Sequence, residues 1–218
     1  MKVRFKRPKT KGHLEELEVR GLWKAIALTK QIAESKEKIS IETILEIHKT
    51  IFENAFPEIA GRFRKNGEDV KKLKFIEPPP GRLVEEKFYS FWRNLDTTLS
   101  SISQHPKSQT KSQRKKWLGQ VFDLATWAQH NISEIHPFCD GNGRMARLMT
   151  NLILRRFGLP ESRVKYEGED KERYLHALHQ IDTVQDYEPL KKLIVLSVAD
   201  TYERIKKIGQ NKKQHSHH

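Results

Sequence analysis

The sequence is poor in the features that tie a chain to a membrane or to an oxidising compartment. It has one cysteine, Cys139, so no disulfide can form within the chain, and this suits a reducing cytosol. It has no run of about 18 apolar residues, and its basic N-terminus lacks the apolar stretch of a secretion signal. We therefore expect a cytoplasmic protein that makes no use of a membrane.

Internal repeats and long low-complexity linkers are also missing. The 218 residues are 36% hydrophobic and 32% charged, which fits one helical domain with a large solvated surface. We expect a basic N-terminal arm over residues 1–12, one domain over 13–202 and a basic C-terminal tail over 203–218.

The net charge of +13 is concentrated in three segments rather than spread over the chain. Residues 1–12 carry six Lys or Arg and residues 105–116 carry five, neither with an acidic residue, while 203–218 sum to +4. The remaining 178 residues therefore sum to −2. The tails could bind nucleic acid or an acidic partner, or only keep the protein in solution. A near-neutral body without a helix-turn-helix or RNA-binding signature does not favour nucleic acid as the partner.

Apolar residues recur with helical spacing through most of the sequence. The first predicted helix ends near residue 35, and the second begins after the N-cap Ser40. Three others cover 83–99, 114–130 and 171–181. One more helix follows Arg147, and the last begins near Pro189. Only Val70 to Glu77 looks extended, because Gly67 precedes it and a Pro-Pro-Pro-Gly breaker follows it. The pattern predicts an all-α domain with one small β-hairpin flap.

The stretch from His136 to Arg147 concentrates groups that bind phosphate. The glycines of Gly141-Asn142-Gly143 allow positive φ, so that several backbone N–H groups can converge on one point. A helix that begins there adds its own free N–H groups. Arg144 and Arg147 lie three residues apart near the start of that helix. Cations there are unfavourable next to the helix dipole, and a bound anion would offset this cost.

Two further residues of this stretch suit a metal-assisted transfer reaction. Asp140 can hold Mg²⁺ through one carboxylate while phosphates supply other ligands. His136 ionises near neutral pH and can act as a general base for a hydroxyl nucleophile. By contrast, His48 lies on an apolar helix face, where a buried histidine with satisfied hydrogen bonds is the favoured interpretation.

These residues resemble the signature of the Fic-domain family, His-x-Phe-x-(Asp/Glu)-Gly-Asn-Gly-Arg-x-x-Arg. The specified positions are all filled, by His136, Phe138, Asp140, Gly141, Asn142, Gly143, Arg144 and Arg147. The resemblance extends to residues 47–52, 60–64 and 171–178, and covers roughly residues 10 to 200.

The resemblance implies an all-α enzyme that transfers AMP from ATP to a Tyr, Thr or Ser hydroxyl of a target protein and releases pyrophosphate. It implies that His136 deprotonates the hydroxyl and that Asp140 holds Mg²⁺. The amides of Gly141, Asn142 and Gly143 would bind the α- and β-phosphates. Arg144 would contact the outer phosphates, and Arg147 would support the loop or the leaving group.

The resemblance also implies a flap over 70–77, including Lys72 and Leu73, which aligns the target by strand addition. Tyr174 would lie near the adenine. Gly143 corresponds to the AMP-transferring form of the motif, because the kinase-like branch has lysine there. Transfer of another nucleotide or of phosphocholine, phosphoryl transfer, removal of AMP, and a catalytically idle peptide-binding module stay open as alternatives.

Many members of the family carry an inhibitory motif, (Ser/Thr)-x-x-x-Glu-(Gly/Asn). The two Glu-Gly or Glu-Asn pairs here, at Glu53 and Glu167, have Lys49 and Arg163 four residues earlier, so neither fits. We therefore expect a separate, antitoxin-like inhibitor that supplies its own glutamate.

Overall fold

The computed structural model describes residues 10–35, 37–68, 70, 77–103, 110–165 and 167–215, with side chains up to residue 210. Seven helices make up the described secondary structure. They are α1 Lys11–Ser35, α2 Ile41–Phe52, α3 Gly81–Ser101, α4 Lys111–Ile135, α5 Asn142–Arg156, α6 Gly168–Val184 and α7 Glu188–His215. No strand occurs in these described ranges, so the predicted all-α class is confirmed.

Two helices begin at capping boxes that the sequence encodes locally. The Ser40 hydroxyl accepts from the Thr43 amide and the Thr43 side chain reaches back to the Ser40 amide, as predicted for the start of α2. Thr110 and Gln113 form the same arrangement before α4. These contacts satisfy backbone donors that a helix N-terminus would otherwise leave without partners.

The core lies where α4 packs along α5, and α3 and α7 also pack against α4. The apolar side of α4, including Trp117, Val121 and Ala125, is buried. Four phenylalanines from different elements are fully buried here: Phe52, Phe88, Phe138 and Phe157. Burying each such side chain contributes about 1.5–3 kcal/mol, so the segment containing Phe138 is anchored in the core.

Helix α1 packs through small residues rather than through the large ones that its periodicity suggests. Its buried positions are Gly21, Ala25, Thr29 and Ala33, while leucine and isoleucine side chains beside them are only partly buried. A Cβ on Gly21 would lie 2.1 Å from the Ile51 carbonyl oxygen of α2. The two backbones therefore approach more closely than any residue but glycine permits.

The predicted flap falls outside the described residues, apart from Val70 and Glu77 at its ends. No helix in the described part of the chain is long and apolar enough to cross a bilayer.

Candidate active site

The predicted phosphate-binding stretch forms the connection between α4 and α5. Helix α4 ends at Ile135 and is capped by His136, whose φ of 49° is left-handed, and α5 begins after Gly141, whose φ is 82°. The intervening residues form a tight turn that sits directly before the N-terminus of α5.

Asn142 closes this turn from inside. Its Oδ1 accepts from the Phe138 amide at 2.9 Å, and its Nδ2 donates to the Phe138 carbonyl at 2.8 Å. The side chain is buried, so its role is to hold the turn, and only its backbone amide remains for the predicted contact with phosphate.

His48 of α2 supports the turn from below. Its Nδ1 accepts from the Gly61 amide at 3.0 Å, so its Nε2 carries the proton and donates to the Asp140 carbonyl at 3.1 Å. Its ring stacks on Phe138 at 3.8 Å. Burial lowers the pKa of His48 to about 4. The expected buried and satisfied histidine is confirmed, and it fixes the backbone next to the candidate metal ligand.

Arg64 holds the other end of the turn. Its buried guanidinium donates to the His136 carbonyl at 2.6 Å and to the Pro79 carbonyl at 2.5 Å. The residue thus ties the end of α4 to the start of α3 and offsets the cost of the left-handed conformation of His136.

His136 has the hydrogen bonding of a general base. Its Nδ1 lies 3.0 Å from the Ser133 carbonyl, which can only accept, so Nδ1 carries the proton and Nε2 keeps its lone pair. The residue is 8% exposed. Burial is the main cause of its lowered pKa, and the charge of Arg64 acts in the same direction. The ring is therefore neutral at pH 7 and able to accept a proton.

The two glycines of the turn have different roles. A Cβ on Gly141 would lie 2.5 Å from Phe52 Cε2, and its φ is positive, so both space and backbone require glycine. Gly143 is helical, and a Cβ there would meet only Arg147 Nη1, at 3.5 Å. The expectation that both glycines serve the turn is wrong for Gly143, whose missing side chain leaves open space over the helix N-terminus.

Asp140 places a carboxylate beside that open space. Its side chain is 52% exposed, and Oδ1 accepts from the Gly141 amide at 2.5 Å and faces Arg144 Nη2 at 3.4 Å. The described residues contain no cluster of three or more His, Cys, Asp or Glu with metal-binding geometry. A single accessible carboxylate fits an ion that takes most of its ligands from substrate phosphates and water, as Mg²⁺ does.

Arg144 is held in place by a glutamate from the first helix. Its Nη1 lies 2.5 Å from Glu18 Oε2, and its guanidinium lies over the Phe52 ring at 4.6 Å. The chain thus brings a carboxylate of its own to the arginine predicted to contact phosphates. Glu18 does not fit the inhibitory motif, because Val19 follows it, and its contact with Arg144 spans 126 positions in sequence.

Tyr174 does not share this surface. It is 3% exposed, and its hydroxyl accepts from Gln129 Nε2 at 3.1 Å, while Gln129 Oε1 accepts from Thr150. This burial between α4, α5 and α6 argues against the predicted contact with an adenine. The flap residues Lys72 and Leu73 lie outside the described residues.

A small polar cluster that the sequence did not predict borders the turn. Glu68 accepts from both terminal nitrogens of Arg62, at 2.6 and 2.9 Å, and from the Cys139 thiol at 3.3 Å. The hydrogen bonds from Arg62 are the main reason that the pKa of Glu68 falls to about 2. Burial and this carboxylate raise the pKa of the Cys139 thiol, so the cysteine is a protonated donor.

Comparison with known families agrees with this geometry. The family model described as the Fic/DOC family matches residues 38–154, more than half of the chain. The chain belongs to this family.

Relatives of similar sequence bear one activity in their names. The chain is 32% identical over 173 residues to the "Protein adenylyltransferase Fic" of Nematostella vectensis, covering 78% of this chain and 35% of that protein. It is 31% identical over 164 residues to the "Protein adenylyltransferase fic-1" of Caenorhabditis elegans, covering 75% and 28%. The chain therefore spans about a third of the length of these curated relatives.

Solved structures share the fold. Residues 134–508 of Fic-1 from C. elegans superpose with a TM-score of 0.67 at 25% identity, covering 94% of this chain and 56% of that one. A Fic domain containing signalling protein from Bacteroides thetaiotaomicron gives a TM-score of 0.65 at 23% identity, covering 84% and 69%.

Proposed function

We propose that this chain is a protein adenylyltransferase, which transfers AMP from ATP to a Tyr, Thr or Ser hydroxyl of a target protein. The observation that carries the proposal is the state of His136. Its Nδ1 is committed to the Ser133 carbonyl, its Nε2 is an acceptor, and it lies at the mouth of a turn that ends in a helix N-terminus. The activity named for the relatives supports the same reaction.

In the proposed step the target oxygen attacks the α-phosphorus of ATP. The bond between that phosphorus and the oxygen bridging to the β-phosphate breaks, and pyrophosphate leaves. The hydroxyl proton moves to Nε2 of His136. Because Nδ1 remains bound to Ser133, the ring keeps its orientation when it becomes charged.

The N-terminus of α5 provides the phosphate site in this proposal. The backbone amides of Asn142 and Gly143, and that of Gly141 once it leaves Asp140 Oδ1, would contact the α- and β-phosphates. The open space at Gly143 lets the phosphates approach the helix end. Arg144 and Arg147 would stabilise the negative charge that develops on the departing pyrophosphate.

Asp140 would hold Mg²⁺ in this proposal, because its carboxylate is accessible at the edge of the same site. The ion would supply positive charge next to the phosphates. The contact between the His48 ring and the Asp140 carbonyl sets the position of this ligand. Residues 70–77, including Lys72 and Leu73, would align the target backbone.

Glu18 restrains this site in the proposal. Its carboxylate occupies Arg144 and places negative charge where the outer phosphates of ATP would lie. Nucleotide binding must therefore displace Glu18 or compete with it. A separate antitoxin-like inhibitor stays a further prediction, now beside a candidate that the chain itself carries.

ATP labelled at different phosphates tests the reaction. Label at the α-phosphate should reach protein in the presence of Mg²⁺, label at the γ-phosphate should not, and modified peptides should gain the mass of AMP. Transfer of the γ-label would replace the proposal with phosphorylation. Absence of both labels, with Glu18 substituted and candidate targets present, would favour the idle binding module.

The restraint predicts a gain of activity. Glu18→Gln should raise the rate of α-label transfer by about tenfold, because it frees Arg144 for phosphate. Glu16→Gln on the same helix, where the exposed Glu16 pairs with Arg20, is the matched control. An equal or lower rate for Glu18→Gln would show that the contact with Arg144 is structural only.

A further inference from the structure

A second cleft lies beside the proposed active site, between the C-terminal half of α4 and the connection from α6 to α7. It has a volume of about 450 Å³. The residues that matter are Glu77, Trp127, His130, Glu134, Asp182 and Tyr187. Apart from Glu77, which is the last residue of the proposed flap, none of them has a role in the proposed transfer reaction.

The cleft is acidic although the chain carries a net charge of +13. Glu77, Glu134 and Asp182 line it, and no Lys or Arg is among the lining residues that the structure describes. The pKa of the Tyr187 phenol is raised, first by burial and then by the negative charges of Glu134 and Asp182. This surface therefore attracts cations.

The floor of the cleft contains buried polar atoms without partners. His130 is 4% exposed, and its Nε2 lies 2.7 Å from Asp182 Oδ1. Its Nδ1 and the other oxygen of Asp182 have no hydrogen-bond partner, and the carboxylate of Glu134 lies 4.0 Å from Nδ1. Buried polar atoms are normally hydrogen bonded, so this floor lacks donors.

The walls favour an organic cation over a metal ion. The rings of Trp127 and Tyr187 line the cleft, and Tyr187 meets the His130 ring edge to face at 5.7 Å. Aromatic faces attract ammonium and guanidinium groups and also pack against their aliphatic stems. The described residues hold no cluster with metal-binding geometry here.

The cleft lies close to the place where a target protein would meet His136. Trp127, His130 and Glu134 follow one another along one face of α4, which ends at Ile135, directly before His136. Along the helix axis, Glu134 precedes His136 by about 3 Å and His130 precedes it by about 9 Å. Glu77 is the last residue of the segment proposed to align the target. A polypeptide presented to His136 would therefore pass close to the cleft.

We infer that this cleft binds a lysine or arginine side chain of the target protein, and that the enzyme prefers hydroxyls with a basic residue nearby. The second part rests on the proposed adenylyltransferase activity, whereas the binding itself does not. The cationic group meets Glu77 and Glu134 at the rim and supplies donors toward Asp182 and His130, while its stem packs on Trp127.

Binding to the full chain is measured without catalysis. Tyrosine peptides with a lysine at each position in turn, and twins with the uncharged, equally long norleucine, are titrated while the NMR signal of the Trp127 indole is followed. The signals of the exposed Trp23 and of Trp92, which contacts Lys38, serve as internal references. At least one lysine peptide should shift Trp127 saturably, and its norleucine twin should not.

Charge removal then locates the binding. Glu134→Gln and Glu77→Gln should each weaken binding of that lysine peptide by about threefold, while Glu203→Gln on the exposed side of α7 leaves it unchanged. Equal binding of lysine and norleucine peptides, or no saturable shift of Trp127, overturns the inference.

The kinetic arm uses the same peptides with α-labelled ATP. The ratio of kcat/KM for the lysine peptide to that for its norleucine twin should exceed one and fall about threefold in Glu134→Gln. Transfer without a lysine preference overturns the specificity and leaves the adenylyltransferase standing. Lysine-specific binding without any transfer to peptides or proteins leaves the cleft standing and counts against the proposed activity.

Discussion

Two buried histidines flank the turn between α4 and α5, and they show how similar surroundings produce different roles. Burial is the main cause of the lowered pKa of both His48 and His136. His48 uses both ring nitrogens to hold backbone groups of Gly61 and Asp140. His136 uses one and keeps the other as an acceptor. The hydrogen bonds, rather than burial or residue type, separate the supporting histidine from the candidate base.

The same division applies to the regions around them. Below the turn, aromatic rings and the His48 hydrogen bonds fix the backbone of Phe138 and Asp140. Above it, Arg64 holds the carbonyl of His136 and leaves the ring of that residue to the substrate. Substitution of the groups that support the turn should therefore mainly lower stability, whereas substitution of the His136 ring should mainly lower activity.

The largest expected effect is that of His136→Ala on catalysis. Loss of the general base should lower the rate of α-label transfer by about 10²–10⁴-fold. The free energy of unfolding should fall by only about 1 kcal/mol, since one hydrogen bond is lost. The exposed His176→Ala is the control for both measurements. A rate close to that of the unmodified chain would remove His136 as the base.

His48→Ala should have the opposite pattern, with a large loss of stability and a smaller loss of activity. It leaves a cavity under Phe138 and removes the partners of two buried backbone groups, so urea denaturation should show a loss of about 4 kcal/mol. At temperatures where the variant stays folded, it should keep more activity than His136→Ala does. If both variants lose equal stability and equal activity, the two histidines do not have the separate roles assigned to them.

Acid should lower the free energy of unfolding through protonation of His48. The imidazole of His48 takes up a proton near pH 6.5 when unfolded but only near pH 4 when folded. The unfolded chain therefore binds more protons between these values, and stability falls as the pH drops from 6.5 through 4, by up to about 3 kcal/mol. His48→Gln should show a smaller loss over this window in denaturation curves at several pH values. Parallel curves would assign the acid sensitivity to other groups.

The two glycines of the turn should have modest and opposite effects on stability. Gly141→Ala should cost about 1–2 kcal/mol, because its φ is positive and a Cβ collides with Phe52. Gly143→Ala should be neutral or stabilising by up to about 1 kcal/mol, since it removes a glycine from a helix. Calorimetric titration with ATP should nevertheless show weaker binding to Gly143→Ala. Unchanged affinity would mean that phosphates do not approach the helix there.

The sequence predicted the parts of the site that are close together in the chain. Residues 136–147 form one short continuous stretch, so one turn and one helix bring His136, Asp140 and Arg144 together. The contact of Glu18 with Arg144 depends on how α1 packs against α5, and no local pattern encodes it. The placement of Tyr174 near an adenine came from the family resemblance, and its burial against Gln129 argues against that contact.

The close approach at Gly21 has a genetic consequence. Glu18 lies one turn before the point where α1 touches the backbone of α2, so that contact sets how far the glutamate reaches. A side chain at position 21 would push α1 away from α2 and so move Glu18 away from Arg144. We therefore expect a search for hyperactive alleles to recover substitutions at Gly21, which damage packing and yet act as gain-of-function mutations.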